Sequence, residues 1–260
     1  MFERAINLKS ARILLTNDDG IAARGLKVLE TAVRGLCKDV WVVAPELEQS
    51  GAGHSLTLHR PLRVRKLAAR RFAVDGTPTD CVLLAISKIL TDKRPTLVLS
   101  GINAGANLGE DVTYSGTVAA AMEATLLDVP AIAMSLQSLE RGKLRWDTAA
   151  KFVGEAVRRL VAQPWPKNTL INLNFPDVAP GAVKGFKVAR QGRHKIGDQI
   201  SERVDPRGRT YFWIGPTRAE DTGRAGTDLA AVTQGMISLT PILLDLTNDD
   251  ALSPLRKVFS

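Results

Sequence analysis

The sequence is short of the residues that most often announce a function. It has two cysteines, Cys37 and Cys81. Two cysteines build neither a disulfide framework nor a zinc site, so each is expected to pack as a small apolar residue, and a reducing, cytoplasmic setting is expected. No apolar run reaches the roughly 18 residues of a membrane helix; the best stretch, CVLLAISKIL, is broken by Lys88. The opening residues MFERAINLKSAR lack the apolar segment of a secretory signal, and residues 1–11 are read as an N-terminal extension. The three histidines, His54, His59 and His194, offer no metal-ligand spacing. Gly-Lys-Ser/Thr occurs nowhere, which excludes a P-loop. Aromatic residues make up 5% of the chain and do not interleave with its basic residues in an RNA-binding pattern. Nucleic acid is therefore not an expected partner.

Positive charge, by contrast, is in excess. The net charge is +8 over 260 residues, and it favours anionic partners through long-range steering. The excess is uneven, with six basic and no acidic residues from Arg60 to Arg71, and eight basic against three acidic from Lys184 to Arg209. Such runs read either as solvated surface or as an electropositive approach to a phosphorylated substrate.

Periodicity sets the fold class. RILLT, DVWVVAP, TLVLS, PAIAMSL and TLINLNFP are short apolar runs with strand character. Between them lie helical patterns: Leu26, Leu29, Val33 and Leu36; a segment opening on Thr77 as N-cap with Pro78 and Asp80; a segment from Ser115 to Asp128 with Val118, Met122 and Leu126 as its stripe; and Ala149, Phe152, Val153, Ala156, Val157 and Leu160. Alternating strands and helices indicate βαβ units, a mostly parallel sheet and an α/β fold, a three-layer α/β/α core over residues 12–180. From 181 to 260 the pattern changes to strands, a charged hairpin ending in Tyr211, Phe212 and Trp213, and a tail, with no long amphipathic helix expected to cover them. Those rings are expected to pack on the core or on another subunit.

Open parallel sheets bind ligands outside the carboxyl ends of their strands. Three loops expected there share a composition: TNDDG, ELEQSGAGHSLT and GINAGANLGEDVTYSGT. In the first, Asp18 and Asp19 are adjacent at the end of a buried strand. A turn or a helix cap explains one of them. Two carboxylates about 4 Å apart repel by about 4 kcal/mol at an effective dielectric of 20, so they need a proton, a cationic side chain or a metal. No basic residue follows in the loop before Arg24, which makes a divalent cation the simplest answer. Oxygen donors such as Ser50, Asn103 and Asn107 suit Mg²⁺, Mn²⁺ or Ca²⁺ better than zinc. Ser115, Gly116 and Thr117 open a helix. They read either as a plain N-cap or, beside a Gly/Asn-rich loop, as a phosphate cradle. A cation site beside an anion cradle points to metal-assisted phosphoryl chemistry.

ILLTNDDG, VVAPELEQSGAGHSLT, DGTPTDCV and SGINAGANLGEDVTYSGTVAAAMEA together resemble the SurE survival-protein family of nucleoside monophosphate phosphatases. RQGRHK, DPRGRTYFWIG and GMISLTP are similar to that family's C-terminal half. The resemblance implies a divalent-metal-dependent 5′- and 3′-nucleotidase, some members also cleaving short polyphosphate, with a metal-activated water attacking phosphorus. It implies a Rossmann-like core and a C-terminal arm exchanged in a homodimer, often paired into a dimer-of-dimers tetramer. It assigns Asp18 and Asp19, the catalytic pair, to one Mg²⁺ or Mn²⁺ per subunit together with Ser50 and Asn103. Asn107, Ser115, Gly116 and Thr117 match the phosphate site. GIAARG departs from the family's usual His-Ala-Pro after the aspartates, which touches the substrate rim rather than the metal. The rivals are a receiver module, which would need a Lys after its fifth strand; an aspartyl-phosphate phosphatase, whose acids flank one intervening residue; and a nucleotide-binding module without turnover.

Overall fold

The computed structural model describes residues 5–140, 142–164, 166–193, 200–214 and 224–259. All five residues of the first strand, Arg12–Thr16 (β1), are buried, as a strand covered on both faces requires. Helix Arg24–Arg34 (α1) buries Gly25, Leu26, Leu29 and Val33. Strand Asp39–Pro45 (β2) and the short strands Val64–Ala68 (β3) and Arg71–Val74 (β4) follow. Helix Pro78–Leu84 (α2) starts where its sequence says it should. Thr77 Oγ1 accepts the Asp80 N–H, the Asp80 carboxylate accepts the Thr77 N–H, and Pro78 fills the first turn. The remaining elements are Leu97–Ala104 (β5), Gly116–Leu126 (α3), Ala131–Leu136 (β6), Trp146–Val161 (α4), Thr169–Phe175 (β7), Phe186–Val188 (β8), Ile200–Val204 (β9), Thr210–Ile214 (β10), Asp228–Thr233 (α5), Ile237–Leu243 (β11) and Asp249–Phe259 (α6).

Nine strands form one sheet in the order β3-β4-β2-β1-β5-β6-β7-β11-β8. From β4 to β7 every neighbouring pair of strands is parallel, and among the described residues the antiparallel strand pairs of this sheet are β3 with β4 and β11 with β7. One face is covered by α1 and α4 through Leu26, Leu29, Val33, Ala149, Val153 and Val157. The other is covered by α2 and α3 through Cys81, Val82, Val118, Ala121 and Ala124. The three-layer α/β/α arrangement read from the sequence is the one observed. Strand order reverses at β1, which lies between β2 and β5. Chains leaving β1 and β5 therefore diverge and open a crevice at their carboxyl ends, where ligands bind in such sheets.

The structure differs from the sequence reading in α3. The expected stripe of Val118, Met122 and Leu126 does not face the core as a unit: Val118 is buried, but Leu126 is 60% exposed. Buried instead are Thr117, Ala119, Ala120, Ala121, Glu123, Ala124 and Thr125, nearly the whole circumference. Small side chains let the helix sit closely against both the sheet and α2, so periodicity of large residues carries little information there. Beyond residue 180, β8 and β11 extend the main sheet, whereas β9 and β10 form a two-stranded sheet of their own. The eleven-residue α6, absent from the sequence reading, buries none of its residues. At the other end, Ile6 donates its N–H to Val161 O (2.9 Å), and Ile6 and Leu8 pack on the α1/α4 layer. Among the described residues no helix is long and apolar enough to cross a membrane, and Cys37 and Cys81 are both buried free thiols.

Candidate active site

Three loops and one helix start meet at the crevice. In the loop after β1, Asn17 is buried and donates its amide to Gly20 O (2.9 Å), closing a turn in which Gly20 has a φ of +98°. Asp18 is held at both ends of its residue: its carbonyl accepts the Gln49 N–H (2.8 Å), and its carboxylate accepts the hydroxyl of Thr117. The Asp19 carboxylate accepts the Ala104 N–H (3.1 Å) from the end of β5. On the second loop, Ser50 donates to Glu48 Oε1 (2.8 Å). On the third, Asn103 donates its amide N–H to Gly105 O (2.8 Å).

Asn107 stands on a buried polar platform. Its amide donates to Ser135 Oγ (2.7 Å), its N–H donates to Asn174 Oδ1 (2.9 Å), and its carbonyl accepts from the amides of Asn172 (2.8 Å) and Asn174 (3.1 Å). Asn172 and Asn174 escaped the sequence reading. The signal was available, since two polar residues at strand spacing in TLINLNFP put amides on one face of a buried strand. At the head of α3, Ser115 Oγ accepts the Val118 N–H (3.1 Å). Gly116 is pressed against Asp18, where an added Cβ would stand 2.8 Å from Asp18 Cβ.

These contacts enclose a cavity of about 680 Å³. Asp18, Asp19, Ser50, Asn103, Asn107 and Ser115 line it, joined by Glu48, Asp111, Tyr114 and Ile214 among others. Gly116 and Thr117 do not. Thr117 is fully buried and its hydroxyl faces Asp18 rather than an open cradle, so that side chain belongs with the carboxylates. The other two members of the anion pattern, Asn107 and Ser115, reach the cavity.

The electrostatics are one-sided. Asp18, Asp19, Glu48 and Asp111 all line the cavity, and no Lys, Arg or His does among the described residues. Burial raises the Asp18 carboxyl above its ordinary value even though the Thr117 hydroxyl favours ionisation. Asp19 is pushed up to about 6 by burial, then by the neighbouring Asp18 charge and by Glu48. Converging carboxylates without a cationic neighbour fit a bound cation. Among the described residues no three His, Cys, Asp or Glu are arranged as a metal cluster. An ion here would thus be held by two carboxylates completed by the neutral oxygens of Ser50 and Asn103, a hard donor set. His54 does not line the cavity; its Nε2 lies 3.0 Å from Glu123 Oε2.

The five arginines of the basic run from Arg60 to Arg71 are all ion-paired. Arg60 and Arg63 pair with Asp75 (3.3 and 3.8 Å), Arg65 with Glu46, Arg70 with Asp39 (3.2 Å) and Arg71 with Glu30 (2.6 Å). In the second run Arg209 pairs with Asp205 (3.0 Å), while His194 and Lys195 lie outside the described residues.

The family model described as Survival protein SurE matches residues 13–198. Two proteins named 5′-nucleotidase SurE are close relatives. That of Paramagnetospirillum magneticum is 60% identical over 251 residues, 96% of each chain. That of Rhodospirillum rubrum is 52% identical over 262 residues, all of each chain. The crystal structure of a SurE protein from Aquifex aeolicus matches the fold with a TM-score of 0.85 at 40% identity, covering 96% of this chain and 100% of that one.

Proposed function

Because this chain belongs to the SurE survival-protein family, we propose that it is a divalent-metal-dependent nucleotidase that hydrolyses nucleoside 5′-monophosphates to nucleoside and phosphate. We extend the reading to 3′-monophosphates, with short polyphosphate as a further substrate. The observation that carries it is the pair Asp18 and Asp19, converging at a strand-order reversal with no cationic side chain on the cavity wall among the described residues. Asp18, Asp19, Ser50 and Asn103 would hold one Mg²⁺ or Mn²⁺. When bound, such an ion polarises a phosphoryl oxygen and lowers the pKa of water. The chain's own groups do the rest. The Ser115 hydroxyl, which accepts from Val118, keeps its proton to donate to a phosphate oxygen. The Asn107 side chain and the positive end of the α3 dipole favour the charge on the equatorial oxygens. Thr117 orients the Asp18 carboxylate.

Phosphate release from AMP tests this reading. Turnover should stop in EDTA and return with Mn²⁺ or Mg²⁺. Metal-dependent AMP binding without phosphate release would instead favour a binding module. The buried free thiols of Cys37 and Cys81 support the reducing cytoplasm as the place of action.

For assembly we propose a homodimer or a dimer-of-dimers tetramer joined through the hairpin. Every residue of β9 and β10 is exposed. Cross-strand pairing puts Ile200, Val204, Phe212 and Ile214 on one face, and Tyr211 and Trp213 on the other. An isolated two-stranded ribbon is marginal in water, and both apolar faces want cover. Phe212→Ser with Trp213→Ser should shift sedimentation to the monomer. A double variant as large as the unsubstituted protein would refute the hairpin interface.

A further inference from the structure

The cavity around the aspartates is polar on its floor and apolar at one wall. Tyr114 directly precedes Ser115 and lines the cavity with a side chain that is 48% exposed. Its backbone is fixed: its N–H donates to Asp111 O (3.0 Å), and its carbonyl accepts the Gly53 N–H (3.2 Å). The ring, by contrast, has no ring partner and its hydroxyl no hydrogen bond among the described residues. Ile214, the last residue of β10, lines the same cavity and is 74% exposed. An aromatic face and an aliphatic side chain held in water beside a phosphate cradle suit a flat, apolar-faced group.

We propose that Tyr114 is the platform on which the nucleobase of the substrate stacks. The inference rests on the nucleotidase reading and adds the part of the substrate that reading leaves unplaced. Tyr114 and Ser115 are consecutive and both line the cavity, and in a nucleotide one ribose separates the phosphate from the base. Stacking tolerates every base, because each has a π-face. The site therefore takes purine and pyrimidine monophosphates alike and prefers both to a sugar phosphate that lacks a base.

Kinetics on AMP, CMP and ribose 5-phosphate test the assignment, with adenosine binding measured by calorimetry. Tyr114→Ala should lower the ratio of kcat/KM for AMP over ribose 5-phosphate about tenfold or more, and the ratio for CMP with it. Tyr114→Phe, which keeps the ring, should keep both ratios. Adenosine, which has no phosphate, should bind the unsubstituted protein about tenfold or more tightly than Tyr114→Ala. An unchanged ratio in Tyr114→Ala, or equal adenosine affinities, overturns the platform. If the unsubstituted protein cleaves no phosphate ester at all, the nucleotidase reading fails, and the calorimetric comparison still decides whether Tyr114 stacks a base.

Discussion

Asp19→Asn should lower kcat/KM for AMP on the order of a thousandfold at any metal concentration and leave the circular dichroism unchanged. The amide keeps the shape of the side chain and its contact with the Ala104 N–H, but removes the charge that draws a cation to the cavity. The same substitution should stabilise the protein in EDTA. The Asp19 carboxyl is raised from 3.8 to about 6 in the folded chain, so below about pH 4 it is protonated in both states and costs nothing. As pH rises from about 4 to about 6, the unfolded chain has released this proton while the folded chain still holds it. Stability from this group is lost across that window. The full effect is at most about 3 kcal/mol, and less once its partial exposure is allowed for. Melting in EDTA should show Asp19→Asn pulling ahead of the unsubstituted protein from pH 4 to pH 7. Mn²⁺ should reverse the order at pH 7, because only the carboxylate gains from the ion. Near-normal turnover in the variant, or melting curves that stay parallel across pH, would remove Asp19 from the metal site.

What the sequence disclosed and what it hid divide along chain separation. Alternating strand and helix patterns and the Thr77 cap are local signals that read correctly because a few neighbouring residues decide them, and the tandem aspartates stand at the cavity where the strand-end rule puts them. The hidden parts are long-range. Thr117 and Asp18 are 99 residues apart, so a local view leaves the threonine in an anion cradle instead of on the carboxylate. The basic run from Arg60 looks like a bare positive patch until Glu30, Asp39, Glu46 and Asp75 arrive to pair with its five arginines. Glu48 and Asp111 join the cavity only because two loops converge. The stripe on α3 misleads for a different reason: a helix of alanine and glycine is buried by closeness of approach, which hydrophobic spacing does not report.

Closeness of approach also explains a glycine with no local excuse. Gly25 sits in the first turn of α1 with ordinary helical geometry, where glycine weakens a helix by about 1 kcal/mol relative to alanine. A Cβ there would stand 1.8 Å from Ile102 O, and 2.9 Å from both Ile102 C and Trp146 Cη2. The helix thus touches the backbone of β5 one residue before Asn103, and the missing side chain lets the two strand ends and their loops close on one cavity. Gly25→Ala should therefore destabilise the protein by about 3 kcal/mol or more, lowering Tm by roughly 6–12 °C. Because the strain falls on the peptide that carries Asn103, metal affinity should weaken in the molecules that remain folded. Gly154→Ala supplies the control. That glycine lies within α4, and its added methyl meets only the mobile end of Arg158, at 3.8 Å. Here helix propensity decides, and the variant should gain about 0.5–1 kcal/mol. If Gly25→Ala melted with Gly154→Ala, above the unsubstituted protein, the contact between α1 and β5 would not be what sets the spacing of the aspartates and Asn103.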